Sequence, residues 1–326
     1  MKKILFIITL FGFSLLSCFD GLNDAYNKKS GLKMVHVPAG TFDYDDTTTT
    51  PTCRIYVSAF YMSSCEITRE QFKEIMGFDP SGVADSPTTD CPVDRVSWFQ
   101  AILFCNRLSI REDREPVYTI NGSTDPDDWG SVPTTNIDPT YAAWNSVICN
   151  MNADGYRLPT EMEWRWAAMG ATKDSRSGDI VGEVNTNGFT KGYAGSIESV
   201  TIPVNIGNYV WYYENSGLNG TSAAPRTSHP VGTKLPNELG LYDMSGNVWE
   251  WCWDKTNTSD LFSPTGNLIN YTGLSGTAYR IIVGRNVDEN YDVMLVQNRT
   301  ASSSRFEYNT MTWVGFRVAR SAGSNY

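Results

Sequence analysis

Cysteine and histidine are the side chains best suited to metal or nucleophilic chemistry, and this chain of 326 residues holds few of them, seven Cys and two His. Apart from Cys18, which ends an apolar leader, the thiols are Cys53, Cys65, Cys91, Cys105, Cys149 and Cys252. No C-x-x-C pair occurs, so the spacing of a zinc knuckle or a thioredoxin-like couple is missing. An even set in an exported chain permits disulfides, and buried free thiols are the alternative in a sequence with ten Trp, 17 Tyr and 14 Phe. His36 lies in a strand-like stretch and His229 in the turn "SHPVG"; both read as structural or exposed. No G-x-S-x-G elbow, H-E-x-x-H pair or phosphate-cradling glycine loop is present, which leaves hydrolase and nucleotide-dependent chemistry without support.

Recognition chemistry is better represented. The tract "VQNRTASSSRFEYNTMTW", residues 296–313, mixes Ser, Asn, Thr, Tyr and Arg without Cys or His, immediately before the strand-like "VGFRVAR". Tyr and Trp offer contact area at low entropic cost, Ser and Asn adaptable hydrogen bonds, and Arg charge-assisted ones. A solvated loop of the same composition is the plain alternative. A formal net charge of -10 and the lack of a basic stripe argue against a nucleic-acid partner.

The elements that must position this tract are short. "KMVHVPAGTF" reads as a strand and a Pro/Gly turn, and "RIYVSAFYMSSCEIT" as a second strand. "TREQFKEIMG" is a helix with Thr68 as cap, Phe72, Ile75 and Met76 on one face and Gly77 at its end. "VSWFQAILFCNRLSIRED" is a longer helix capped by Ser97, and its run "REDRE" is solvated surface. Residues 119–145 read as a long loop. "YRLPTEMEWRWAAMGA" is a third helix with a Thr160/Glu163 capping box and Trp164, Ala167 and Ala168 facing inward. No sustained period is visible in residues 171–235, and no internal repeat appears.

The start, "MKKILFIITLFGFSLLSC", has a basic opening and an apolar run too short to be retained as a membrane span, as in an export signal. Its "LLSC" resembles the bacterial lipobox, which implies cleavage before Cys18, lipidation of that residue, and a flexible tether over residues 18–32.

Four phrases in order, "MVHVPAGTF", "YRLPTEMEWRWAAMGA", "ELGLYDMSGNVWEWCWD" and "VGFRVAR", resemble the formylglycine-generating-enzyme, or sulfatase-modifying-factor, family over residues 33–322. The resemblance implies an α+β fold: a single irregular C-type-lectin-like domain. It also implies a structural calcium ion near "GNVWEW", for which Gly246, Val248 and Glu250 are the candidate ligands. A buried Glu250 bonded to backbone amides is the alternative, and no cofactor is otherwise required. Oxidase members carry a copper-binding Cys pair shortly before the "GFR" strand, whereas the tract from Trp253 to Tyr326 has no Cys. Another branch uses a three-His iron site, which two His cannot build. Cys252, upstream in "WEWCWD", reads as packed rather than catalytic. Its use with a distant partner in an oxidase or accessory factor is the alternative function.

The C-terminus also resembles that of the variable surface lipoproteins diversified by retroelements. There, mutagenesis at template adenines turns Asn codons into codons for Ser, Tyr, Asp, Thr, Arg, Val, Phe or Gly, among others, without creating a stop. The residues this implies for a variable binding site within 285–316 are Asn286, Val287, Asp288, Asn290, Tyr291, Asp292, Ser302, Ser303, Ser304, Arg305, Phe306, Tyr308, Asn309 and Thr310, with Trp313 as a further contact. Gln297, Glu307, Met311 and Trp313 are not reachable from such codons and are expected to be fixed or templated otherwise. The expectation is a non-catalytic lipoprotein, held at the outer membrane through its lipid and exposed at the surface, which binds a protein or glycan ligand outside the cell. An envelope adhesin with an invariant site is a further alternative.

Overall fold

The computed structural model describes residues 30–44, 53–170, 180–181, 184–185, 193–195, 205–217, 221–223, 225–256, 266–273, 279–294 and 304–323. The leader, the lipidation candidate Cys18 and the candidates Ser302 and Ser303 lie outside them.

Three sheets and a two-stranded ladder share the described chain. The first sheet runs in the order β1 (Met34–Val37), β4 (Phe60–Ser63), β15 (Ala319–Ser321), β7 (Tyr156–Arg157), so the end of the domain is clamped between segments from its beginning and middle. The second contains β13 (Ser304–Arg305), β12 (Tyr279–Val283), β10 (Trp249–Thr256) and β14 (Val314–Gly315). The third contains β11 (Asn267–Ile269), β3 (Cys53–Val57), β2 (Gly40–Tyr44), β9 (Val184–Asn185) and β8 (Ile180–Val181). The ladder pairs β5 (Tyr118–Thr119) with β6 (Ile148–Cys149).

The helices begin where the sequence places their caps. Thr68 and Gln71 form a capping box on α1 (Arg69–Met76), which ends at Gly77 with φ 82°. Ser97 and Gln100 do the same for α2 (Trp98–Arg111), and Thr160 and Glu163 for α4 (Glu161–Ala168). Burial on α4 is wider than one face: the Glu161–Arg165 pair, 2.9 Å apart, is as buried as Trp164 and Ala168.

Two expectations change. "RIYVSAFYMSSCEIT" forms two strands in different sheets, because the chain bends at Ser58 and Ala59 directly opposite the bend between β1 and β2. Asn270 holds that corner by accepting from Ser58 N at 2.8 Å. The long 119–145 segment contains a 3-10 turn at Pro126–Asp128 and the short α3 (Tyr141–Asn145). Its buried Trp129 and Trp144, 5.4 Å apart at ring centroids, fix it to the core. A last short helix, α5, covers Ile206–Tyr209.

Two hydrophobic clusters meet across β10. One gathers around α2, with Phe72, Phe104, Trp249, Trp251 and Phe316; the other around α4, with Phe42, Ile55, Met62, Cys252 and Ile281. Alternation along the strand sends Trp251 to the first and Cys252 to the second. The six thiols from Cys53 to Cys252 are free, and four of them are buried, the second of the two states open from sequence. No described helix is long and apolar enough to cross a membrane.

Candidate functional site

The second half of the candidate surface hangs on an inward carboxylate. Glu307 is fully buried, with Oε1 3.5 Å from Arg280 Nε and 4.0 Å from Lys255 Nζ. Arg280 is in turn held under two indoles, its guanidinium carbon 3.5 Å from the Trp98 ring centre and 5.0 Å from that of Trp253. Burial pushes its pKa down to about 10, against the opposing pull of Glu307. On either side of Glu307, Phe306 and Tyr308 are only half-buried and lie parallel, 5.4 Å apart. Tyr279 packs on Phe306 at 4.6 Å, and Tyr141 meets Tyr308 edge-on at 6.0 Å. The result is a four-ring aromatic strip over a buried ion pair, followed by half-buried Asn309 and exposed Thr310.

The first half follows β12. Asn286 and Val287 are buried: Asn286 Oδ1 caps Asp288 N at 2.9 Å, and the Val287 carbonyl accepts from Ser216 Oγ at 2.7 Å. Asp288, Asn290, Tyr291 and Asp292 are exposed. Asp288 pairs with Arg226 at 3.2 Å, and the Arg226 guanidinium lies 3.4 Å from the Tyr213 ring centre. Of the fifteen residues expected at the site, then, the structure turns Asn286 and Val287 inward. It presents Asp288, Asn290, Tyr291, Asp292, Phe306, Tyr308, Asn309, Thr310 and Trp313 wholly or partly to solvent. Ser304 and Arg305 belong to β13, paired with Ile281 and Arg280.

Backbone strain ties the two halves together. Among the described non-glycine residues with positive φ, only Arg95, Arg285 and Trp313 are neither Asn nor Asp. All three border this surface. Trp313, at φ 57°, donates its N–H to the buried Asp94 carboxylate at 3.0 Å, and its carbonyl accepts from Trp249 N at 2.8 Å. Arg95, at φ 58°, donates its N–H to the Met311 carbonyl. Arg285, at φ 69°, directly precedes Asn286. Left-handed backbone at bulky residues is uncommon and persists where the surroundings enforce it, often at functional sites.

The expected metal ligands are arranged for another task. Glu250 is fully buried; Oε2 accepts from Trp164 Nε1 at 2.8 Å and Arg317 Nε at 2.7 Å, and Oε1 from Arg317 Nη2 at 2.8 Å. A calcium ion on this carboxylate would face a guanidinium, so Glu250 does not fit calcium in this arrangement. Glu250 is thus bonded, but to a guanidinium and an indole rather than to backbone amides. No group of three or more His, Cys, Asp or Glu among the described residues is placed to hold a metal ion.

Reactive thiolate is likewise disfavoured at Cys252, which is fully buried, its thiol pushed well up by burial and then by Asp254 and Glu161. His229 stacks on Trp211 at 3.7 Å and burial lowers its pKa, while exposed His36 meets Tyr61 edge-on.

Sequence reasoning did not find Tyr141, Arg226 and Tyr213 at the surface, or Arg280 beneath it. They lie far from the C-terminal tract in sequence, and no local pattern marks them. Glu307 did carry a signal: it stands outside the Asn-derived residue set. A separate cavity of about 400 Å³ opens elsewhere, lined by Val57, Met151, Arg157, Met162, Asn270 and Ser321 among others.

Comparison with known proteins bears on this geometry. The sulfatase-modifying factor enzyme 1-like domain is matched over residues 21–322. Chaperone protein LppX of Paenibacillus barcinonensis is 38% identical over 210 residues, 61% of this chain and 64% of that protein. A formylglycine-generating enzyme of Thermomonospora curvata is 33% identical over 114 residues, 35% of this chain and 32% of the enzyme. The chain therefore spans less than two thirds of these relatives' length. Among solved structures, Treponema denticola variable protein 1 superposes with a TM-score of 0.70 at 29% identity, covering 89% of this chain and 95% of that one.

Proposed function

Because the chain belongs to the sulfatase-modifying factor enzyme 1-like domain family, we propose that it uses that family's fold as a scaffold for binding rather than for oxidation. In this reading it is a lipid-anchored protein displayed on the cell surface. It binds a protein or glycan ligand through residues 286–292 and 302–313, which a retroelement diversifies. The observation that carries the reading is the division of labour at Glu307. One inward carboxylate is ion-paired with Arg280, while its neighbours Phe306 and Tyr308 are partly exposed. Side chains in such a frame can change without disturbing the ion pair that sets the backbone.

The similarity to Treponema denticola variable protein 1 supports this reading. So does the lack of any Cys from Trp253 to Tyr326, which leaves no thiolate pair for copper. The test is to probe arrays of glycans and of extracellular proteins with the parent and with a Tyr291→Ala, Phe306→Ala, Tyr308→Ala variant of equal melting temperature. Ligands retained by the parent and lost by the variant support the reading; identical profiles contradict it.

A second reading is favoured by the 38% identity to a protein named as a chaperone: an accessory factor that assists folding of another envelope protein. Suppression of aggregation of an unfolded client at substoichiometric amounts, unaffected by the triple variant, would favour it.

A further inference from the structure

Arg285 is both strained and under-bonded. It is 4% exposed, yet its Nε and Nη2 have no hydrogen-bond partner; Nη1 is in a loose ion pair, 4.0 Å from Glu289 Oε1, and Asp292 adds a longer-range attraction. Its backbone is locked at φ 69° by flanking bonds to one turn: Gly246 N donates to the Gly284 carbonyl at 2.8 Å, and Val287 N to the Asn247 carbonyl at 3.1 Å. That conformation favours glycine and disfavours a long side chain. The lock aims the guanidinium at Trp249, 5.0 Å from its ring centre. A desolvated cation with two unused donors, on strained backbone, is a net penalty to the free protein.

We infer that Arg285 anchors a carboxylate of a protein ligand, an Asp or Glu side chain that displaces Glu289 from Nη1 and bridges Nη1 and the unused donor Nη2. The Nη1/Nη2 edge of a guanidinium matches a carboxylate in a two-point contact. The placeholder supports the choice of an acidic polypeptide. Glu289 is itself a glutamate on a loop, 33% exposed and too distant for a hydrogen bond, so a competing side chain can replace it. Exposed Asp288, Asn290, Tyr291 and Asp292 flank Glu289 on that loop, so the anchor belongs to the proposed binding surface and the inference rests on that reading.

The test uses the full lipoprotein in detergent micelles, with poly-L-glutamate, the polyuronate alginate and neutral dextran as probes, at low and high salt. The expected result is salt-sensitive retention of poly-L-glutamate but not dextran, weakened at least about tenfold by Arg285→Gly. Arg285→Gly should still fold cooperatively, since glycine accepts the left-handed backbone that strains arginine. Arg285→Lys keeps the charge but not the fork and should bind weakly, whereas Glu289→Gln should bind severalfold tighter than the parent. Unchanged poly-L-glutamate binding in Arg285→Gly overturns the inference, and so does preferential retention of alginate. If array ligands lost on removing Tyr291, Phe306 and Tyr308 persist while position 285 is irrelevant, this inference fails alone. If the parent retains neither array ligands nor poly-L-glutamate, the binding reading fails with it.

Discussion

Glu307 Oε1 lies 3.5 Å from Arg280 Nε, both side chains shut off from solvent, whereas Phe306 and residues 308–313 around Glu307 are half-buried or exposed. Removing one partner of such a pair strands the other charge, so Glu307→Ala should lower unfolding free energy by roughly 3 to 5 kcal/mol. Asn309→Ser, two residues on, should stay within about 0.5 kcal/mol of the parent. Urea melts of the two variants check this, and equal losses would remove the distinction between frame and displayed side chains.

The aromatic frame gives the second contrast. Trp251 is fully buried and donates its indole N–H to the Val96 carbonyl at 2.8 Å. Trp251→Ala should destabilise by roughly 3 to 5 kcal/mol, and Trp249→Ala by a similar amount, while Tyr291→Ala, on an exposed ring, should leave the melting curve nearly in place.

Acidity supplies a third prediction. Burial, the largest effect, raises Asp243 to about 6, and it also raises Glu66 well above the usual carboxylate range, with Asp243 adding to it. Their oxygens Oδ1 of Asp243 and Oε1 and Oε2 of Glu66 are buried without hydrogen-bond partners. A carboxyl raised in the folded state holds its proton more tightly there than in the unfolded chain. Its contribution is therefore fully present below the unfolded value of about 4 and is lost as pH rises towards about 6. Asp243→Asn should thus be about 1 to 3 kcal/mol more stable than the parent at pH 7, with the gap closing near pH 4. Stability measured across that range checks the sign, and a parent that gains stability on going from pH 4 to 7 more steeply than the variant contradicts it.

Thiol chemistry gives a fourth. Cys105 and Cys252 are fully buried with their thiols pushed well up by desolvation, so both should resist alkylation at pH 8 in the folded protein and react on unfolding. Fast labelling of folded Cys252, or copper(I) binding that depends on it, would restore the oxidase reading.

What the sequence made legible was local. The caps at Thr68, Ser97 and Thr160 announced three helices because a hydroxyl three residues before Gln or Glu is itself the start signal. The α+β family fold followed from four ordered phrases. The split of β3 from β4 stayed hidden because the apolar alternation continues through Ser58 and Ala59, and only pairing with distant strands breaks it. At the site, the composition of residues 286–313 pointed to recognition. Nothing local revealed that Asn286 and Val287 turn inward, or that Arg226, Tyr213 and Tyr141 complete the surface. Those positions are set by contacts between segments far apart in sequence, such as Arg226 with Asp288 and Tyr141 with Tyr308.

The most direct test of a diversified binding surface is deep sequencing of the DNA encoding residues 285–316 in one population of source cells, with the upstream half of the coding region as control. The account predicts substitutions confined to adenine-derived positions, concentrated at outward residues such as Asp288, Tyr291, Phe306 and Tyr308, with Glu307 constant. Equal variation in the two regions, or replacement of Glu307 as frequent as that of its neighbours, would contradict it.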